Sequence, residues 1–379
     1  MNARLRYAAR LAAVALVFLS ILANLIRYVL LLRDHYDGTD FRLYYAAART
    51  GLDQGWSHIY DPGVLHLTAA LAGGPAKPFL NPPPMAWLAA PLTLLPYRPA
   101  YVIWSLLCAL ALGAAVALLV PGRRARLAAF ALTLGLYPTL FALYLGQSSI
   151  FVLLAVAACW RLQRGGHQVW AGLALALMAV KPQMVLVLPA ALLVAGRWRL
   201  FAAWAAATLG LGVASVLTLG PDGVSNYLQL AAHPLPEDWV YTLGGLLGRG
   251  ALTLALQAAC ALAALAAAFR NRRRTHLVFA AGLFGSALAA PYWHVQDFLA
   301  VIAAVAIVLT EGEARLAPKA ALAVFVAANP LWVGGTFKPA WVEVGLWLLI
   351  EAAALAWLLW PEKQRAPAAA GALLDERVS

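Results

Sequence analysis

The chain alternates long apolar runs with short clusters of arginine, glycine and proline. The runs cover 11–32, 99–120, 126–146, 148–162, 168–181, 183–196, 200–219, 251–269, 276–292, 296–310, 319–335 and 343–360. A helix crosses a hydrocarbon core of about 30 Å with roughly twenty residues, so the pattern predicts an all-α polytopic membrane protein of about 12 (11–13) transmembrane helices. The first run follows Arg4, Arg6 and Arg10. It is too long for a signal-peptide core and lacks a small-residue cleavage site, which predicts a retained anchor. The stretch 168–196 is too long for one span and barely enough for two. It is interrupted by Lys181-Pro182-Gln183. "NPPPMAWLAAPLTLLP" (81–96) can be helical for at most about fifteen residues, or about 22 Å. It is therefore expected to lie at the outer face, starting at its prolines, where a missing N–H costs nothing.

Composition supports repeated membrane crossing and excludes an ordinary soluble domain. Of 379 residues, 63% are hydrophobic and 12% charged, and the mean hydropathy is +0.77. The net charge of +12 would suit nucleic acid if it formed one patch, but the basic residues sit between apolar runs, so no nucleic-acid partner is expected. With each run crossing once from a cytoplasmic N-terminus, nineteen of the 28 Lys and Arg residues fall inside, as the positive-inside rule requires. The inside loops are "GRRAR", "RLQRGG", "RWR", "RNRRR", "EGEARLAPK" and the tail. One domain is expected over 1–360, with an outer first loop at 33–97 carrying interfacial helices. A disordered cytoplasmic tail follows over 361–379. The alanine- and arginine-rich composition suggests a bacterial plasma membrane. Cys108, Cys159 and Cys260 lie in apolar runs without metal-ligand spacing, so no metal and no cofactor is expected.

This topology places the unusual polar residues on one face. In "GTDFRLYYAAART" (38–50) Thr39 can cap a helix whose first turn holds Asp40, with Tyr44 one turn later on the same side. Taken alone, the stretch fits a capped interfacial helix with Tyr44 and Tyr45 at headgroup level. It fits equally a carboxylate base at a membrane surface, with Arg42 beside it to hold an anion. Lys181, before a helix-breaking proline, either snorkels from a short hairpin or meets a phosphate. Gln147 follows a span and a glycine; Gln183 flanks the lysine. In "PYWHVQDF", His294 and Asp297 are three apart and share the face of a helical turn, with Trp293 beside them. His294 could act as acid, base or phosphate donor, or simply sit at headgroup level.

Seven segments, in order, carry a resemblance: "DFRLYYAAART", "IYDP", "NPPPMAWLAAPLTLLPYRPAYVIW", "LGQSSIFVLLA", 171–193, "GRWR" and "PYWHVQDF". The series resembles glycosyltransferase family 87, multi-span enzymes of the GT-C class that use polyprenyl-phosphate sugars. The resemblance implies a GT-C-like bundle that moves a hexose, most commonly mannose, to a lipid or glycan acceptor on the outer face. It implies a catalytic aspartate in the first outer loop, at Asp40, and a histidine before a late span, at His294. Related mannosyltransferases carry two adjacent histidines there; here Val295 follows His294. In that setting Asp40 and His294 are the catalytic candidates, and Arg42 and Lys181 the donor-phosphate ligands. Tyr44, Tyr45, Gln147, Gln183, Trp293 and Asp297 are candidate substrate contacts. Membrane lipids surround the whole. Two rival functions fit parts of the pattern. A transporter or flippase for a lipid-linked or polar solute would explain the broken helix, although no repeated half is evident. A purely structural subunit explains neither the lysine nor the aspartate.

Overall fold

A computed structural model describes residues 40–72, 77–232, 241–311 and 340–360, together with 11, 15, 18–19, 21–30 and 33 of the first run. Thr39, the run 319–335 and the tail 361–379 lie outside the described residues. Among those described, the chain is helical and holds no strand. The helices are α1 (Ile21–Leu30), α2 (Phe41–Asp53), α3 (Pro62–Ala72), α4 (Pro83–Ala89), α5 (Tyr97–Leu119), α6 (Arg123–Gly135), α7 (Tyr137–Leu145) and α8 (Ser149–Arg164). They continue with α9 (Gln168–Leu175), α10 (Leu188–Val194), α11 (Trp198–Ala232), α12 (Leu243–Leu247), α13 (Ala251–Arg270), α14 (Thr275–Ala289), α15 (Leu299–Thr310) and α16 (Ala340–Leu359).

The chain is a multi-pass membrane protein, and its described helices give four to five candidate spans by length and composition. Four helices are long and apolar enough to cross alone: α5, α11, α13 and the Val342–Leu359 part of α16. A fifth span arises if α6 and α7, bent by 75° across Leu136, are counted together. The runs expected at 168–181, 183–196, 276–292 and 296–310 are helical, but only over Gln168–Val180, Pro182–Val194, Thr275–Ala289 and Val295–Thr310. Their limits are set by punctuation. Proline cannot continue a preceding helix, so the chain breaks at Lys181 (φ −158°, ψ 71°) before a 3₁₀ turn over Pro182–Val185. The segment 81–96 is short, as expected: α4 starts at Pro83 and passes into a 3₁₀ turn ending at Leu94.

Helix α11 departs from the expected run 200–219. It kinks at Gly220 (φ 63°), a backbone state that glycine adopts without a Cβ clash, and continues through Pro221 to Ala232. That extension covers part of the first loop. Asn226 donates to Asp61 at 2.7 Å, and the Tyr227 ring packs on Tyr60 with centroids 4.9 Å apart. Before the kink, Leu209, Val213, Val216 and Leu217 are at least half exposed, apolar surface suited to lipid. Small residues line the inner contacts. A Cβ on Gly172 would collide with the Leu200 carbonyl of α11, and one on Gly285 with the Ala264 methyl on α13. Close backbone approach of this kind is how helices associate where lipid removes the hydrophobic drive.

The connectors segregate. Arg164, the last residue of α8, pairs with Glu311, after α15, at 2.6 Å. Arg197, between α10 and α11, donates to Thr275 at 3.0 Å, and Asn271 donates to the carbonyl of Leu358 at 3.0 Å. The arginine-rich loops thus meet one another at one end of the bundle. At the start of α8, about 24 Å of helix away, lies a different set of residues.

Candidate active site

Four breaks in helical structure converge there. The first is the α7–α8 turn. Gly146 takes the left-handed conformation (φ 68°), with Gln147 N–H bonded to Ala142 O at 2.8 Å and Gly146 N–H to Leu143 O at 3.2 Å. This Schellman closure is locked by the Trp104 indole, which donates to Gly146 O at 2.8 Å. It directs the Gln147 side chain toward the start of α2, where the Gln147 amide donates to the Asp40 carboxylate. Asp40 sits at the N-terminal boundary of α2, and its side chain makes no capping bond. Its hydrogen bond to Gln147 joins it to the bundle instead.

The second and third breaks meet as an ion pair. Lys181, 4% exposed, lies 2.5 Å from Asp297 Oδ1, and Asp297 is wholly buried. The ammonium also donates to Gln147 Oε1 at 3.2 Å and to Ser149 Oγ at 3.1 Å. Its three N–H donors therefore have three acceptors. Ser149 donates in turn to Asp297 Oδ1 at 2.9 Å, and Asp297 Oδ2 accepts the His294 backbone N–H at 3.1 Å. A buried charge that is both paired and hydrogen-bonded is stable in a low-dielectric interior. Lys181 is thus paired internally with Asp297. Asp297 is likewise fully engaged.

The fourth break is the loop before α4, which brings Lys77 near. Burial holds the Asp40 carboxyl above the usual aspartate range; the charges of Lys77, Lys181 and His294 and the hydrogen bond from Gln147 oppose that rise. Lys77 is the functional candidate that sequence reading missed. The signal available was a lone lysine in the outer loop, two residues before Phe79.

The remaining expected site residues divide. Tyr44, 1% exposed, donates to Gln147 Oε1 at 3.3 Å and packs edge-on against Trp104. Tyr45 turns away: its hydroxyl donates to Leu95 O at 2.7 Å and its ring meets Tyr97. Trp293 is fully buried against Phe298. Tyr44, Tyr45 and Trp293 are all buried in this structure. Arg42 is buried on α2 two positions from Asp40, and residues two apart on a helix do not face each other. His294 stays half-buried, its ring 4.3 Å from that of Tyr292. Gln183 is half-buried, and no hydrogen bond among the described residues ties it to the cluster. Among the described residues no group of three His, Cys, Asp or Glu could hold a metal. A small hollow lined by Asn24, Arg27, Tyr28, Tyr137, Leu140 and Phe141 includes none of these residues.

Residues 79–291, more than half of the chain, match the family model described as Glycosyltransferase family 87. The chain belongs to glycosyltransferase family 87. No curated protein and no solved structure matches it. The family 87 match takes in Gln147, Ser149 and Lys181 and stops short of Asp40 on one side and of His294 and Asp297 on the other. This member of family 87 therefore completes its cluster with segments that flank the matched region. A membrane glycosyltransferase needs a base for the acceptor hydroxyl. The cluster holds two carboxylates, and they differ in one respect. Asp297 is sealed in an ion pair, whereas Asp40 belongs to a half-buried residue and meets an amide instead of a cation.

Proposed function

We propose that this membrane glycosyltransferase moves a hexose, mannose foremost, from a polyprenyl-phosphate donor to a lipid or glycan acceptor, with Asp40 as general base. The observation that carries the reading is the Asp40 carboxylate, in a half-buried residue at the N-terminal boundary of α2, within reach of the charges of Lys77 and His294. Asp40 takes the proton of the acceptor hydroxyl as its oxygen attacks the anomeric carbon. The bond from that carbon to the phosphate oxygen breaks, its electron pair leaves with the polyprenyl phosphate, and the anomeric centre inverts. Charge grows on the departing phosphate, so fixed cations there lower the barrier; Lys77 and His294 fill that role. The basic connectors at the opposite end of the bundle support a cytoplasmic side there. On that reading both termini are cytoplasmic, the site faces outward, and the membrane is a bacterial plasma membrane.

The decisive test is Asp40→Asn. Purified full-length protein is incubated with a panel of polyprenyl-phosphate sugars and membrane lipid extract, and released polyprenyl phosphate is followed by mass spectrometry. The variant should retain the wild-type elution profile and melting temperature while transfer falls by about a hundred- to ten-thousandfold, the scale expected when a general base is lost. Transfer at wild-type rate would remove Asp40 from the chemistry.

A further inference from the structure

We propose that Gln147 is the positioning residue of this site: its amide, oriented by Lys181 and Tyr44, holds one oxygen of the Asp40 carboxylate and turns the other toward the acceptor hydroxyl. The proposal rests on the reading of Asp40 as base and adds to it the device that aims that base.

The geometry begins with the amide. Its oxygen receives two donors, Lys181 Nζ at 3.2 Å and Tyr44 OH at 3.3 Å, while its NH₂ group is directed at Asp40 Oδ2. The reverse orientation would set NH₂ against an ammonium and a hydroxyl, and the amide oxygen against a carboxylate. Oxygen and nitrogen positions in an amide are assigned by such a network, and here every partner agrees. Lys181 cannot drift, because Asp297 and Ser149 hold its other hydrogens and Asp297 is itself fixed to the His294 backbone. The backbone of Gln147 is fixed too, by the Schellman turn and Trp104. A chain of contacts thus runs from the turn before α15, through the break after α9, to the N-cap of α2.

The consequence is chemical. Asp40 stands at the end of a helix, joined among the described residues by a side-chain bond to Gln147, and a base must be held within tenths of an ångström to act. A donor to the carboxylate also favours its ionised form. The groups acting on that carboxyl are Lys77, Lys181 and His294 on the positive side, while Tyr44 and Tyr144 are the titratable hydroxyls that feel its charge. Gln147 touches the base and no reacting atom, so its removal should slow turnover without weakening substrate binding.

The test uses full-length protein in lipid nanodiscs and a probe that needs no substrate. Dicyclohexylcarbodiimide modifies protonated carboxyls, and labelling of the Asp40 peptide is followed by mass spectrometry from pH 4 to pH 9. In Gln147→Leu the pH of half-labelling should rise by about one unit, because a donor to the carboxylate is lost. Gln147→Glu, nearly isosteric and still able to meet Lys181, guards against misfolding of the leucine variant. It sets a second carboxylate against Asp40 and should raise the half-labelling pH at least as far. With polyprenyl-phosphate mannose as donor, kcat for Gln147→Leu should fall by about ten- to a hundredfold with KM within about twofold, as for a misplaced reacting group. An unchanged half-labelling pH in the folded variants overturns the positioning role. Sugar transfer by Asp40→Asn overturns the base assignment instead, leaving the labelling result to be read separately.

Discussion

Breaking the Lys181–Asp297 pair tests whether this site is built on a buried charge network. Lys181→Met leaves a wholly buried carboxylate that keeps only the Ser149 hydroxyl and the His294 N–H as partners. Removing one member of such a pair costs about 3–5 kcal/mol. The two surviving hydrogen bonds put the expected loss near the lower end, at about 3 kcal/mol. Asp297→Asn leaves the ammonium with Gln147 and Ser149 and should cost a similar amount. The double variant removes both charges, and the amide introduced by Asp297→Asn can still accept from Ser149. Its remaining cost is the lost bonds to Gln147 and Ser149, about 1–2 kcal/mol. The coupling between the two positions should therefore exceed about 2 kcal/mol, far outside the additivity expected of independent sites. Thermal unfolding in detergent, followed by tryptophan fluorescence, reads this directly. At roughly 2 °C per kcal/mol for a long chain, each single variant should melt about 6 °C below wild type and the double variant closer to wild type than either. A double variant whose loss equals the sum of the singles would refute the network. So would single variants within about 1 °C of wild type. Even when stable, the double variant should transfer sugar slowly, because the Gln147 amide has lost its main anchor.

The other expectations are smaller in scale. Tyr45→Phe removes the hydroxyl bond to Leu95 O and should cost about 1 kcal/mol of stability with kcat and KM unchanged; a raised KM would return Tyr45 to the substrate. Gly146→Ala forces an alanine into φ 68° with its Cβ 3.0 Å from the Trp104 ring and 3.2 Å from Phe41 Cβ. It should destabilise by about 1–2 kcal/mol or more and lower transfer as Gln147 moves, both measurable on one preparation. The Asp40 carboxyl is held above the usual aspartate range, so the base form is present above that raised pKa and is lost as pH falls through it. Lys77→Ala removes the largest of the charges opposing the rise and should move the acid limb of kcat/KM to higher pH; an unmoved limb would separate Lys77 from the site.

Much of the framework was legible because membrane helices are punctuated locally. Apolar runs, prolines and glycines located α5, α8, α13 and α14 within a few residues, and Lys181-Pro182 marked a true break. The length of each helix was not legible. Whether a 13-residue helix crosses, dips or bends depends on what packs beside it, and the α6–α7 bend and the α11 extension over Asp61 are decided by such neighbours. Burial of the aromatic positions was not legible either: Tyr44, Tyr45 and Trp293 stand beside catalytic candidates in sequence, and their low exposure follows from the helices packed over them.

By itself the sequence determined that this chain is helical, membrane-embedded and asymmetric in charge, because hydropathy and basic clusters act locally and additively along the chain. It also marked Asp40, Gln147, Lys181, His294 and Asp297 as candidate site residues. Only the tertiary structure decided which of them face each other. Lys181 reads as an unpaired cation until Asp297 is seen 2.5 Å away, and Gln147 reads as a routine span-end amide until its two ends are found on Lys181 and Asp40. A buried charge is defined by its partner, and partners distant in sequence are chosen by packing, which no local pattern records.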